Sequence, residues 1–271
     1  MSLRRLLPLV PAVLVVGVLF GGAVVGALRT SLQPAAAGLL GDVSLDAWRA
    51  VLTDRAFRDA LLFTSAVTVA ATAVSAALAV ALAGALLRSG TAARALAGLP
   101  VLVPHLVVAV VAVLWLGPGG LADRLLGTLP FEIVRDPWGL GIVAVYVYKE
   151  TPFLLLLVLT AWDADVVDRQ EAAAVHGADR WARLRHVVWP AIRVPLTVGS
   201  LIAAAFTFGS FEVPLVIGPT YPPTLAVLAL QETQRSLLGG QARAAAILLV
   251  AAGVSLLLAL LAGREVRRAT R

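Results

Sequence analysis

Asp168 and Glu171 stand three residues apart, followed by three alanines, a glycine at position 177, an aspartate at 179 and a proline at 190. Spaced as D-x-x-E, the two acids can cap a helix reciprocally, Asp168 accepting from the Glu171 amide while Glu171 reaches back to the Asp168 amide. The spacing predicts a helix that starts at Asp168, runs through Ala172, Ala173 and Ala174, and stops at Gly177, whose missing side chain permits a left-handed C-cap. Asp179 then caps a second helix, on which Trp181, Leu184 and Val188 recur at helical spacing while Arg180, Arg183 and His186 take other faces. Trp189-Pro190 should end it. Five arginines lie between Arg169 and Arg193. Chemically the stretch reads either as a solvated pair of helices resting on anionic lipid headgroups or as a docking surface.

Three further charged residues sit in otherwise apolar surroundings. Lys149 and Glu150 fall about ten residues into a hydrophobic run, where a charge costs at least ~2.5 kcal/mol unless paired or wet. Neighbours on a helix point about 100° apart, so the two cannot pair tidily with each other. They either line a path through the membrane or form structural ion pairs with another span or another subunit. Pro152 removes a backbone donor and should open the helix near residue 148, breaking this run at mid-depth. Glu212 lies beside Gly209 and Pro214, where it could gate a path, meet a cationic solute or simply reach the membrane interface. His105, next to Pro104, reads as a hydrogen-bonded packing residue. Three scattered histidines and no cysteine give no metal site, no disulfide and no thiol nucleophile. No G-x-x-x-x-G-K-[ST] stretch occurs, and no Ser, His and Asp arrangement stands out, so no catalytic residue is expected.

The elements that must position these residues are membrane helices. Of 271 residues 60% are hydrophobic and 14% charged, against about 25% charged in soluble domains. The net charge of +6 is spread over short loops rather than clustered, which excludes a nucleic-acid-binding role. Apolar runs place spans at about 7–28, 60–87, 95–117, 138–162, 194–217 and 244–263, with the loop 163–193 between the fourth and fifth. The first, preceded by Arg4 and Arg5, is too long for a signal peptide despite the small residues Ala35 to Ala37, and it carries the pairs Gly17/Gly21 and Gly22/Gly26 for close helix approach. Between the first two spans, Pro34, Asp42, Asp46, Trp48 and Arg49 suggest short surface helices with Trp48 as an interfacial anchor. Pro100 and Pro104 should bend or delay the third span. With both termini cytoplasmic, inner segments hold 13 arginines, Arg88 and the Arg264 to Arg271 tail among them, and outer ones hold 8; the inner side nets +7 and the outer side zero. This orientation puts the loop in the cytoplasm and Glu212 about 27 Å along its helix, near the far interface.

Glu171-Ala172-Ala173, Gly177 six residues on and Pro190 about a dozen further resemble the EAA loop of the membrane-spanning permease subunits of bacterial binding-protein-dependent ATP-binding-cassette importers. The likeness covers about 20 residues at motif level, and six spans with the loop about 100 residues from the C-terminus extend it over nearly the whole chain. His176 and Trp189 depart from the usual aliphatic residues at their positions. The resemblance implies an all-α, polytopic, type I permease fold in the inner membrane. It implies that Glu171, Ala172, Ala173, Gly177, Ala178, Asp179, Trp181 and Arg183 form a coupling surface for an ATPase: Glu171 as anionic contact, Gly177 as hinge, Ala172 and Ala173 as the small surface that allows close approach. It further implies two ATPase subunits, a second permease, identical or homologous, and an external solute-binding protein as partners. No cofactor is bound by this chain itself; ATP is used by the partner.

The stretch Phe208 to Leu225 is similar to permeases of the polyamine, ferric iron, thiamine, sulfate and phosphonate branch, with sugar permeases as the alternative. An ion-driven secondary transporter using Lys149, Glu150 and Glu212 would need inverted repeats, and none is evident. A membrane scaffold would leave the capped, glycine-hinged loop without a purpose.

Overall fold

The computed structural model describes residues 10–33, 43–87, 89–127, 132–235 and 239–270. Arg4, Arg5, Pro34, Ala35 to Ala37, Asp42, Arg88, Arg271 and the first three residues of the expected 7–28 span lie outside them. The described residues are helical without strands: α1 (Val10–Ser31), α2 (Asp46–Thr53), α3 (Arg55–Leu86), α4 (Thr91–Gly98), α5 (His105–Leu116), α6 (Leu121–Leu126), α7 (Leu140–Ala161), α8 (Ala164–Val175), α9 (Arg180–Arg183), α10 (Trp189–Gly209), α11 (Glu212–Ile217), α12 (Leu225–Arg235) and α13 (Gly240–Ala269). Among them six segments are long and apolar enough to cross a membrane. They lie at Val13–Ser31, Arg55–Leu86, His105–Leu126, Leu140–Ala161, Arg180–Gly209 and Gly240–Ala269.

The chain divides into two units, Met1–Ala60 with Leu225–Gly253, and Leu61–Thr224 with Val254–Arg271. In the first, Ser31 is fully buried, donates to the Leu28 carbonyl at 2.8 Å and accepts the Trp48 indole N–H at 3.1 Å. Trp48 thereby ties α2 to the end of α1. Asp54 accepts the Ala56 amide at 2.9 Å at the start of α3 and meets Arg243 at 2.5 Å; Arg243 also pairs with buried Glu232 at 2.8 Å. Along α1 the side chains of Val13 to Phe20 are largely exposed, and a Cβ added at Gly17, Gly21, Gly22 or Gly26 would meet nothing within 4 Å.

The second unit is built around α7, which packs against α4, α5, α10 and α11 and buries Ile142, Val145, Tyr146, Leu154, Leu155 and Val158. Its N-terminus is set by Asp136, whose carboxylate accepts from the amides of Trp138 (3.0 Å), Leu140 (2.9 Å) and Gly141 (3.0 Å). Gly139 at φ +73° must be glycine twice over, since a Cβ there would also lie 2.8 Å from the Phe63 ring. Further along, a Cβ on Gly199 would stand 2.5 Å from Leu157 Cδ1 and 2.9 Å from Leu154 Cδ2, so any larger residue there would force these leucines to shift.

Several helix limits differ from those expected. The 95–117 run is not one helix: α4 passes into a 3₁₀ turn (Leu99–Leu102), and α5 begins only at His105, because Pro100 and Pro104 cannot donate to a continuing ladder. Span four is not broken at Pro152; α7 runs unbroken through it, with dense burial on both sides of the proline. The 194–217 run is interrupted, with α10 ending at Gly209 and α11 starting at Glu212.

Candidate functional site

The first helix of the loop between α7 and α10 starts earlier than its acid pair suggests. Asp163 is the N-cap of α8, accepting the Val166 amide at 3.1 Å, and Asp168 and Glu171 fall inside the helix. The first capping side chain after the apolar run takes the role, because Trp162 is held in the core and the chain must turn there. Trp162 is 6% exposed, and its indole donates to Gln170 Oε1 at 2.8 Å, pinning α8 to the end of α7.

At the far end the expected glycine stop is present. Gly177 has φ +85°, its amide donates to the Ala174 carbonyl at 3.0 Å, and the Ala178 amide donates to the Ala173 carbonyl at 3.0 Å. These are the paired bonds of a left-handed helix cap, which satisfy two orphan carbonyls. Asp179 caps the second helix by accepting the Ala182 amide at 2.6 Å. That helix does not end at Trp189-Pro190. It widens into a π turn at Leu184–Val188 and continues as α10. The Trp189 amide donates to the Leu184 carbonyl, and the wider turn accommodates a Pro190 ring that would clash with the carbonyl four residues back in an α-helix.

Exposure divides the loop into a tip and a root. Glu171, Ala172, Gly177, Asp179 and Trp181 are exposed, and Ala173, Ala178 and Arg183 half-buried. Val175 is 85% and Trp181 67% exposed, two apolar side chains flanking the glycine. The Arg183 Nε donates to the Asp179 carbonyl at 3.3 Å, which holds the guanidinium along its own helix. At the root, Val166 of α8 and Val188 of the π turn are buried in one cluster with Leu155 and Val158 of α7 and Ile192 and Leu196 of α10. The root is therefore packed against two long helices by close-fitting side chains.

Lys149 and Glu150 do not pair with each other. The Lys149 ammonium is buried and donates to the carbonyls of Pro100 (2.6 Å), Val101 (3.2 Å) and Val103, capping the backbone that the two prolines leave open. Glu150, 6% exposed, meets His105 Nε2 at 3.3 Å, and the His105 ring packs 4.7 Å from the ring of Phe206 of α10, tilted by 43°. His105 is thus hydrogen-bonded and packed, as its setting suggests. Glu212 is exposed at the first position of α11. Sequence reasoning missed Asp136, although Asp136-Pro137-Trp138-Gly139 before an apolar run is a turn-and-cap signal, and it missed the Asp54–Arg243–Glu232 chain, which no local pattern announces. No cluster of three or more metal-ligating side chains occurs among the described residues.

The loop and its six spans have counterparts in known proteins. Residues 73–271 match the family described as binding-protein-dependent transport system inner membrane component. The chain is 29% identical over 214 residues to the inner membrane ABC transporter permease protein YnjC of Escherichia coli, covering 77% of this chain and 41% of that one. It is 28% identical to the trehalose transport system permease protein SugA of Mycobacterium tuberculosis, over 63% and 57% of the two chains. It is 29% identical to the molybdenum transport system permease protein ModB of Azotobacter vinelandii, over 51% and 60%. The chain therefore spans about half the length of these relatives. Among solved structures, a chain of the bacterial alginate ABC transporter in complex with alginate pentasaccharide-bound periplasmic protein superposes with a TM-score of 0.77 at 19% identity, covering 97% of this chain and 93% of that one. The fold is that of the ABC importer permeases, and the chain, a multi-pass inner-membrane protein, belongs to the family of binding-protein-dependent transport system inner membrane components.

Proposed function

We propose that this chain forms half of a solute path through the inner membrane and that its α8–α9 loop receives the mechanical input from a separate ATPase. The carrying observation is the division of the loop into an exposed tip around Gly177 and a root buried in the α7–α10 core. In this reading both termini and the loop are cytoplasmic, in line with the arginine excess of those segments. Glu171, Ala172, Ala173, Gly177, Ala178, Asp179, Trp181 and Arg183 form the docking surface. Trp181 and Val175 are its apolar anchors, and Glu171 supplies its charge. ATP binding closes two ATPase subunits on each other, and the docked loops carry that rigid-body motion into α7 and α10. One chain encloses half a path, so a second permease, identical or homologous, completes it, and an external binding protein delivers the solute. The chain binds no cofactor and catalyses no reaction itself.

Of the three path candidates, exposed Glu212 is the best placed to meet a solute; Lys149 and Glu150 are buried, the first against the turn carbonyls of Pro100 to Val103 and the second against His105. For the cargo, the Phe208 to Leu225 stretch supports the polyamine, ferric iron, thiamine, sulfate and phosphonate branch. The trehalose permease among the relatives supports a sugar instead. The experiment for the first claim is co-purification: tagged wild-type chain should bring down an ATPase subunit that Glu171→Lys or Gly177→Pro does not, both variants still inserting into the membrane. Uptake into vesicles lacking any ATPase would overturn it. The ligand that co-purifies with the partner binding protein decides between the cargo classes.

A further inference from the structure

Two grooves of the second unit, one apolar and one charged, lie next to each other along α10. An apolar groove of about 570 Å³ runs between α3, α10 and α13, walled by residues such as Val69, Ala73, Leu201, Ala204, Val254 and Leu258. A second groove of about 430 Å³ is walled by Arg193, Glu265 and Arg268. Trp189 and Thr197 line both, so the basic groove adjoins the apolar one at these two residues.

The order of these features along α10 is that of a lipid molecule. Trp189, 48% exposed, and Arg193 occupy the first turns of the helix, where an indole and a guanidinium suit the headgroup layer. From Trp189 to Phe208, the far end of the apolar groove, α10 climbs about 28 Å, more than the reach of one acyl chain into its own leaflet. Arg268 pairs with Glu265 at 2.8 Å, and Arg193 is exposed beside them, so the headgroup end carries one net positive charge. A soluble anion would use the basic end alone and leave the apolar groove empty. A packed helix from another subunit would fill the apolar groove but would find a charged pocket at its end.

We propose that these adjoining grooves bind one anionic phospholipid, its phosphate between Arg193 and Arg268 and one acyl chain along the α3–α10–α13 groove. The site is separate from the loop tip and does not rest on the docking of an ATPase.

The test is native mass spectrometry of the full chain released from nanodiscs of phosphatidylglycerol and phosphatidylcholine in equal amounts. Wild type should retain one phosphatidylglycerol in preference to phosphatidylcholine. Arg193→Gln with Arg268→Gln should lower that retention by about tenfold. Ser200→Phe, which keeps both arginines and fills the apolar groove, should also displace the lipid. Equal retention of the two lipids, unchanged retention in the Ser200→Phe chain, or a lipid-free dimer that shields the groove would each overturn the proposal.

Discussion

The Lys149 ammonium donates to the Pro100 carbonyl at 2.6 Å, across 49 residues of sequence, and to the carbonyls of Val101 and Val103 beside it. A charge inside an apolar helix is thus spent on the backbone of the segment that Pro100 and Pro104 prevent from being helical. In lipid an open carbonyl has no water to turn to, and the lysine stands in for it.

Lys149→Met should therefore strip this donor from the Val101 and Val103 carbonyls, while the Pro100 carbonyl keeps the Val103 amide, and lower stability by about 2–4 kcal/mol. Thermal unfolding in detergent checks this. An unchanged midpoint would mean that the ammonium is not needed where it sits.

Gly199 of α10 faces Leu154 and Leu157 of α7. A Cβ there falls 2.5 Å from Leu157 Cδ1 and 2.9 Å from Leu154 Cδ2. Gly199→Ala should destabilise by about 1–3 kcal/mol through overpacking. Gly199→Ala combined with Leu157→Ala should recover part of that loss in the same unfolding measurement, since the second change removes the obstructing atom.

Much of this was legible in advance, and what was not has a physical reason. Six apolar runs announce six spans because lipid demands about 20 helical residues for each. Gly177 announces its cap because no other residue adopts that conformation so readily. The start of the loop's first helix is not legible because Asp163 and Asp168 are both competent caps, and Asp163 follows directly on the buried Trp162. Pro190 reads as a stop because a π turn, which absorbs it, has no sequence signature. Partners separated by 45 or more residues, such as His105 and Glu150, follow from how helices meet rather than from any local spacing.

In the first unit, Arg243 bridges Asp54 at 2.5 Å and Glu232 at 2.8 Å, with Glu232 only 6% exposed. Arg243→Met leaves that carboxylate buried without its principal partner and should cost about 3–5 kcal/mol. Adding Glu232→Gln should restore part of the loss. Strictly additive effects in this double-mutant cycle would show that the two side chains do not interact.

Gly177 holds φ +85° while its amide donates to Ala174. Proline can satisfy neither condition. Gly177→Pro should unravel the end of α8 and abolish ATP-dependent uptake with membrane insertion intact, whereas Gly177→Asn, which tolerates the left-handed region, should retain much of it. Uptake assays in vesicles compare the three chains, and equal uptake by the proline variant would separate the loop from coupling.

The central claim is that the exposed tip of the α8–α9 loop is an ATPase socket. The chain has no cysteine, so Val175→Cys, at a site 85% exposed beside Gly177, provides a single addressable thiol. Its labelling rate with a maleimide is measured in membranes with and without the ATPase subunit, using Val43→Cys, at a position 78% exposed in the first unit, as the reference. The account predicts that the ATPase protects residue 175 and leaves residue 43 unchanged; equal labelling of residue 175 in both membranes would contradict it.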